Sequence, residues 1–235
     1  MNWVDNWLNI IQDYVLPPTC LLCGNAGWQN HDICLICQQH LLQNHHCCYQ
    51  CGEHFALPPA VPMLCGRCIA QSPAFDETHA PYIHQGAIRH LVTTLKFGAT
   101  YKNARLLGQL LADQLRDSHR QPELLIPVPL HKSRYRQRGF NQSIEIARTV
   151  SKELAIPLDL SSCQRLRNTP QQSNLTAKQR RKNIKNAFAV VKPIAASHVA
   201  IIDDVMTTGS TMDELAKVLK KAGVEKVDVW VCARA

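Results

Sequence analysis

Four Cys-x-x-Cys pairs fall within 49 residues, at Cys20/Cys23, Cys34/Cys37, Cys48/Cys51 and Cys65/Cys68, and constrain this region more than any other feature of the chain. Two residues between thiols let one tight turn aim both sulfurs at a single ion. Two such turns complete a tetrahedral site with Zn–S bonds of about 2.3 Å. A lone pair would read equally well as a redox dithiol. Four pairs, with a hairpin spacing of ten residues between Cys23 and Cys34, instead predict two structural zinc ions on eight thiolates. Sequential pairing closes the shorter loops at lower entropy cost, and an interleaved pairing would also use all eight. Cys47 is left over, and His45, His46 and His54 stand nearby as reserve ligands or solvated loop residues. Sites saturated by four thiolates keep no open coordination position, which predicts a scaffold or partner-binding role rather than catalysis.

A disulfide framework would require an oxidising compartment. Residues 1 to 16 carry no basic segment and no seven-residue apolar run, so no export signal is expected. No stretch approaches the roughly 18 consecutive apolar residues of a membrane span. The expectation is a cytoplasmic chain with reduced cysteines and no transmembrane segment.

Charge and cysteine are distributed in opposite ways. Residues 1 to 70 hold nine of the eleven cysteines and one basic residue, Arg67, against Asp5, Asp13, Asp32 and Glu53. The remaining 25 basic and 14 acidic residues give residues 71 to 235 a balance of +11, within a whole-chain net charge of +8. Three segments follow. Over 1–18, Trp3, Trp7, Ile10, Ile11 and Tyr14 recur at helical spacing until Pro17 and Pro18, predicting an amphipathic helix that packs on its own domain or docks a partner. Without a basic residue it would not seek anionic lipid. Residues 19–70 form the double zinc ribbon, with Pro58, Pro59 and Pro62 as a stiff spacer.

Over 75–235 the pattern becomes α/β. Strands are predicted at Tyr82–Ile83, in the run 124 to 128 and at Val199–Ile202, with an extended stretch from Leu158 to Leu166 and an alternating strand from Val227 to Val231. Helices are predicted around Ile88 to Leu95, Leu106 to Leu115, Ile144 to Leu154 and Thr211 to Ala222, the last stopped by Gly223. Residues 177 to 187 read as a basic helix or loop. Strands alternating with helices predict a mostly parallel sheet with flanking helices.

Residues 199 to 212 read VAIIDDVMTTGSTM: an apolar strand delivering Asp203 and Asp204 at its carboxyl end, then a hydroxyl-rich turn opening a helix. Free amides at a helix start, with the hydroxyls of Thr207, Thr208, Ser210 and Thr211, can hold a phosphate monoester without a lysine, and Gly209 permits a tight turn and close approach. The two carboxylates are placed to accept from sugar hydroxyls. Ligands of α/β sheets bind at this end of the strands. A Walker A loop is excluded, because GxxxxGK[ST] is missing.

This strand, acid pair and TTGST turn resemble the phosphoribosyl-diphosphate (PRPP) motif of type I phosphoribosyltransferases. With LIPVPLHKSRYRQRGFNQS at 125 to 143, LTAKQRRKNIKNAF at 175 to 188 and the cysteine pairs, nearly the whole chain is similar to the ComF/GntX family of competence-associated phosphoribosyltransferase-like proteins. The resemblance implies a type I phosphoribosyltransferase fold preceded by a small double zinc ribbon. It implies that Asp203 and Asp204 bind the ribose hydroxyls of PRPP, with Mg²⁺, and that Thr207, Thr208, Gly209, Ser210 and Thr211 hold its 5′-phosphate. It further implies DNA uptake and single-stranded DNA handling, with a helicase of the competence machinery as partner.

Two acid-free stretches carry twelve cations: Lys132, Arg134, Arg136 and Arg138, then eight more between Asp159 and Asp203. Converging, they would make a strong positive field. In the first, the segment 134 to 141 is expected to be a mobile cover hinged at Gly139. Arg136 and Arg138 would contact pyrophosphate, and Pro129 and Lys132 would add to the PRPP site. In the second, Arg180, Arg181, Lys182 and Lys185 form an expected basic wall for nucleic acid, with Phe140 and Phe188 as candidate stacking partners or core residues. No acceptor chemistry is legible. A catalytic phosphoribosyltransferase, a PRPP-sensing DNA-binding protein without turnover, and a helicase adaptor all remain open.

Overall fold

A computed structural model of the 235-residue chain describes residues 17–98, 100–116, 121–168 and 184–235. The expected helix over 1–18 lies outside these residues except for Pro17 and Pro18, and most of the segment 177 to 187 does too. The chain divides into two compact units, Met1–Leu42 and Gln43–Ala235, so the division falls inside the cysteine-rich segment.

In the first unit, antiparallel bridges join Thr19 to Ala26 and Trp28 to His31, and a single turn of helix, α1 (Leu35–Gln39), follows. Leu21 and Trp28 donate backbone bonds to Asp32 (2.9 Å) and Ile33 (2.8 Å). Buried Cys20, Cys34, Ile33 and Leu41 are a thin apolar complement, the composition of a module that depends on metal to fold.

The second unit begins with another cysteine turn and α2 (Gly66–Ala70), then builds a parallel sheet. Its strands are β1 (Glu77–His79), β2 (Tyr82–Ile83), β3 (Leu124–Pro127), β6 (His198–Met206) and β7 (Lys226–Arg234). The order is β1-β7-β6-β3, with β2 also pairing β7. The helices are α3 (Gly86–Gly98), α4 (Tyr101–Leu115), α5 (Lys132–Arg138), α6 (Gln142–Leu154) and α7 (Ser210–Lys221). A separate antiparallel pair, β4 (Cys163–Arg165) and β5 (Phe188–Val190), sets Arg165 opposite Phe188. This is an α/β architecture, a parallel sheet with flanking helices, as expected. Among the described residues no helix is long and apolar enough to cross a membrane.

The strand expected at 227 to 231 forms within β7, and every residue of β7 after Lys226 is buried between neighbouring strands and against α4 and α7. The segment 134 to 141 is largely helix α5, and Gly139 is its C-terminal cap at φ 79° rather than the hinge of a loop. Phe140 and Phe188 are 3% and 4% exposed, Phe140 against the Tyr101 ring and Phe188 beneath Arg165, so neither offers a face to a base.

Packing explains the tight crossing of α4 and α6. A Cβ on Gly108 would lie 2.6 Å from the Thr149 Cβ, so only glycine fits there. Buried Asn141 then links α6 to the sheet: its amide donates to the Val128 carbonyl (3.0 Å) and its carbonyl accepts from the Ser143 N–H (3.0 Å), capping the helix. The start of α6 is thereby held beside the carboxyl ends of β3 and β6.

Candidate functional site

Consecutive residues of a strand point to opposite faces, and Asp203 and Asp204 accordingly meet different partners. Asp204 is 2% exposed, and its Oδ2 lies 2.5 Å from the Lys96 ammonium on α3. Burial opposes charge on Lys96, but Asp204 more than offsets this and holds the ammonium above the ordinary lysine range. Asp203 is partly buried, and its Oδ1 accepts from the Ser143 hydroxyl (2.6 Å) and the Asp204 N–H (3.0 Å). Burial, reinforced by Asp204, raises Asp203 to about 7 despite the Ser143 donor and Lys96.

Beyond the strand the chain turns through Thr207 and Thr208 to Gly209, at φ 77°, the left-handed cap from which α7 starts. An L side chain there would be strained. The Thr208 and Ser210 hydroxyls lie 3.0 Å apart, and Ser210 N–H donates to Thr208 Oγ1 at 3.4 Å. The turn encloses a cleft of about 30 Å³ lined by Asp203, Thr207, Gly209, Thr211 and their neighbours. Converging amides and hydroxyls at a helix start suit an anionic oxygen cluster.

Arg138 donates to Gln142 Oε1 (2.8 Å) and is close enough to Lys96 to oppose its charge. Arg136 and Lys132 are exposed on α5, and Pro129 is half-buried after β3. Arg165 sits 5.4 Å over the Phe188 ring; burial, with Arg134 nearby, lowers its guanidinium to about 10 against the attraction of Asp203. Lys185 is exposed, whereas Arg180, Arg181 and Lys182 lie outside the described residues. Sequence reasoning passed over Lys96, Ser143 and Arg165 as site residues. Only Arg165 carried a signal, its place in an acid-free stretch.

The eight paired cysteines form two clusters, Cys20/Cys23/Cys34/Cys37 and Cys48/Cys51/Cys65/Cys68, each with its sulfurs within 4.8 Å of one another. This is the sequential arrangement. Cys23 and Cys34, like Cys51 and Cys65, bring their sulfurs to 3.6 Å, close to the roughly 3.8 Å edge of a tetrahedron with 2.3 Å bonds. Within each cluster burial opposes ionisation, yet backbone N–H groups draw Cys20 to about 6 and Cys65 to about 7. Burial and neighbouring sulfurs push Cys37 and Cys68 far up. Four crowded thiols cannot all ionise unless a cation joins them, which fits zinc. Cys47 is outside both clusters, bridged to His54, whose Nδ1 meets Asn44 Oδ1 at 3.1 Å.

The second cluster is built into the larger unit. Cys48, Cys51 and Cys68 join the same apolar core as Phe75, Met206 and Met212. Thr78 donates to the Gln50 carbonyl (2.7 Å), and buried Arg234, paired with Glu53, donates to the carbonyls of Cys51 and Met206, both at 3.1 Å. The turn at 207 to 211 begins immediately after Met206. Alongside it, α2, the β4–β5 pair and α7 wall a cavity of about 700 Å³ that shares Thr208, Gly209 and Ser210 with the small cleft.

Comparison with known proteins gives two family matches. Residues 11–69 match the double zinc ribbon domain, and residues 141–235 match the phosphoribosyl transferase domain. Competence protein F of Haemophilus influenzae is 37% identical over 73% of this chain and 78% of its own length. DNA utilization protein YhgH of Salmonella typhimurium is 35% identical over 76% of this chain and 81% of its own. A purine phosphoribosyltransferase structure from Pyrococcus horikoshii aligns with 57% of this chain and 75% of its own, at 21% identity and a TM-score of 0.36.

Proposed function

Because the chain belongs to the family of competence protein F and the DNA utilization proteins, we propose that it binds PRPP at the carboxyl end of β6 and serves DNA uptake by handling incoming single-stranded DNA in the cytoplasm. The observation that carries this reading is the join of β6 to α7: a carboxylate poised at about 7 is followed at once by a hydroxyl-lined, left-handed turn.

In this reading Thr207 to Thr211 hold the 5′-phosphate and Asp203 accepts from the ribose hydroxyls. Asp204 works at one remove, since Lys96 already neutralises it. Arg138 and Arg136, with Lys132 and Pro129, face the pyrophosphate, where fixed positive charge stabilises a departing anion. Mg²⁺ typically takes one or two carboxylates plus phosphate oxygens and keeps several waters; Asp203 fits that role better than the ion-paired Asp204. When bound, the ion would neutralise diphosphate charge. Asp203 at about 7 also has the protonation range of a general base. The two zinc ions are structural, and Lys185, with Arg180, Arg181 and Lys182, supplies electrostatic affinity for single-stranded DNA. A competence helicase is the proposed protein partner.

The test is calorimetry of PRPP and single-stranded DNA with wild type and Asp203→Asn/Asp204→Asn at two salt concentrations. Loss of PRPP binding in the double variant, and DNA binding that weakens with salt, are expected. Unchanged PRPP affinity would refute the site, and salt-independent DNA binding would refute the basic wall. Pyrophosphate release with candidate acceptors separates an enzyme from a PRPP sensor.

A further inference from the structure

The phosphate turn borders two spaces: the small cleft lined by Asp203, and the cavity of about 700 Å³ that reaches Thr208, Gly209 and Ser210 but not Asp203, Asp204 or Lys96. A phosphate held by the turn with its ribose toward Asp203 therefore has a second open space beside it that Asp203 does not line. Free ribose 5-phosphate or PRPP would leave that space empty, because a monoester carries nothing there.

The cavity walls are suited to one class of substituent. Among the described residues of the lining, Arg67, Lys185, Lys217 and Lys221 stand against Asp213 and Glu214, an excess of two positive charges. Lys217 is committed to Asp213 at 2.6 Å and Arg67 to Glu53 at 2.7 Å. Among the described residues Lys185 and Lys221 have no ion pair, and both are exposed. Both acids are held by backbone groups: the Ala74 N–H donates to Asp213 (2.8 Å) and the Asn186 N–H to Glu214 (2.6 Å). Their charge is directed into the walls. Apolar Val218, Leu166 and Ile184 complete a lining that is part apolar and part cationic, and the volume lies within the roughly 300–1,000 Å³ of small-molecule sites. An apolar, planar group joined to an anion matches such a lining.

Resting on the proposed PRPP reading, we infer that this cavity receives the nucleotide on the 5′ side of the bound phosphate, so that the turn accepts an internal phosphodiester of a single strand as well as a monoester. The strand would run from the second cysteine cluster, past Lys221 and Lys185, across the turn to Asp203. The two ligand forms would compete for the same turn, and the preceding nucleotide would add affinity only to the diester.

The experiment compares PRPP, thymidine 5′-monophosphate and the dinucleotide thymidylyl-(3′,5′)-thymidine by calorimetry on the full chain. One further seated base should make the dinucleotide bind about tenfold tighter than the mononucleotide, and PRPP should displace it. Lys221→Ala, at an exposed position, and Val218→Trp, which fills the cavity, should each erase that advantage while leaving PRPP affinity unchanged. PRPP binding with no dinucleotide preference, or a preference that survives both variants, overturns the inference. Failure of the wild type to bind PRPP at all refutes the underlying reading instead.

Discussion

The Lys96 ammonium lies 2.5 Å from Asp204 Oδ2, joining the last turn of α3 to the carboxyl end of β6. The pair means that the two adjacent acids are electrostatically different groups. Asp204 is a buried, neutralised anchor, and in the proposed reading Asp203 is the carboxylate that meets the ligand.

Removing the cation tests this directly. Lys96→Met leaves a carboxylate that is 3% exposed without its counter-ion, and breaking such a buried pair costs about 3–5 kcal/mol. Urea unfolding should show that loss. Pairing Lys96→Met with Asp204→Leu should recover most of it, since no uncompensated charge remains.

Asp203 makes stability depend on pH. Its folded pKa, about 7, is above the carboxylate value of 3.8, so between these values the folded state holds more protons than the unfolded one. The stability associated with this group is full below 3.8 and is lost as pH rises through about 7. Unfolding free energies at pH 6 and pH 8 should therefore fall with pH in wild type more than in Asp203→Asn. Equal slopes in the two proteins would refute the assignment.

Zinc content should be two per chain by metal analysis, and the two clusters should respond differently to loss of a ligand. Cys20→Ser removes a ligand from the small first unit, whereas Cys68→Ser disturbs a core that contains Phe75 and Met206. Both variants should lose about one zinc, and Cys68→Ser alone should markedly lower the unfolding midpoint of the 43–235 unit.

Arg234 is 4% exposed and satisfies the carbonyls of Cys51 and Met206. Arg234→Met leaves the buried Cys51 carbonyl without this donor and Glu53 without this partner, while the Met206 carbonyl keeps the Ala235 N–H at 3.0 Å. A loss of about 1–3 kcal/mol is expected, for one abandoned polar group. Because Met206 leads into the phosphate turn, PRPP affinity should fall with it. Calorimetry below the unfolding temperature measures that effect separately from stability.

Truncation gives a last test. Cys48, Cys51 and Cys68 belong to the core of the larger unit, so deleting residues 1–70 to probe a docking role would damage that core. Deleting 1–42 should leave a folded chain that binds PRPP, as monitored by circular dichroism and calorimetry.

Much of this protein was legible locally. The spacing of the cysteines pointed to eight thiolates in two sites and favoured the sequential pairing that the structure shows, because a Cys-x-x-Cys turn is a short-range device. The apolar run ending in Asp203-Asp204 and the TTGST turn specified β6, the left-handed Gly209 and the start of α7, because a strand end and a helix cap are each set within a few residues. What could not be read was anything that depends on distant chain segments meeting. Nothing local marked Lys96 as a site residue; the fold placed it on Asp204, 108 positions away in sequence. Arg165 and Phe188 were a cation and a candidate stacking ring until pairing of β4 with β5 buried one beneath the other. Likewise, the cysteine pattern said that two metal sites form, but only tertiary packing assigned them to different bodies. Residue type and spacing determine which bonds a short segment can make; burial and field depend on what packs against it, and that is decided by the whole chain.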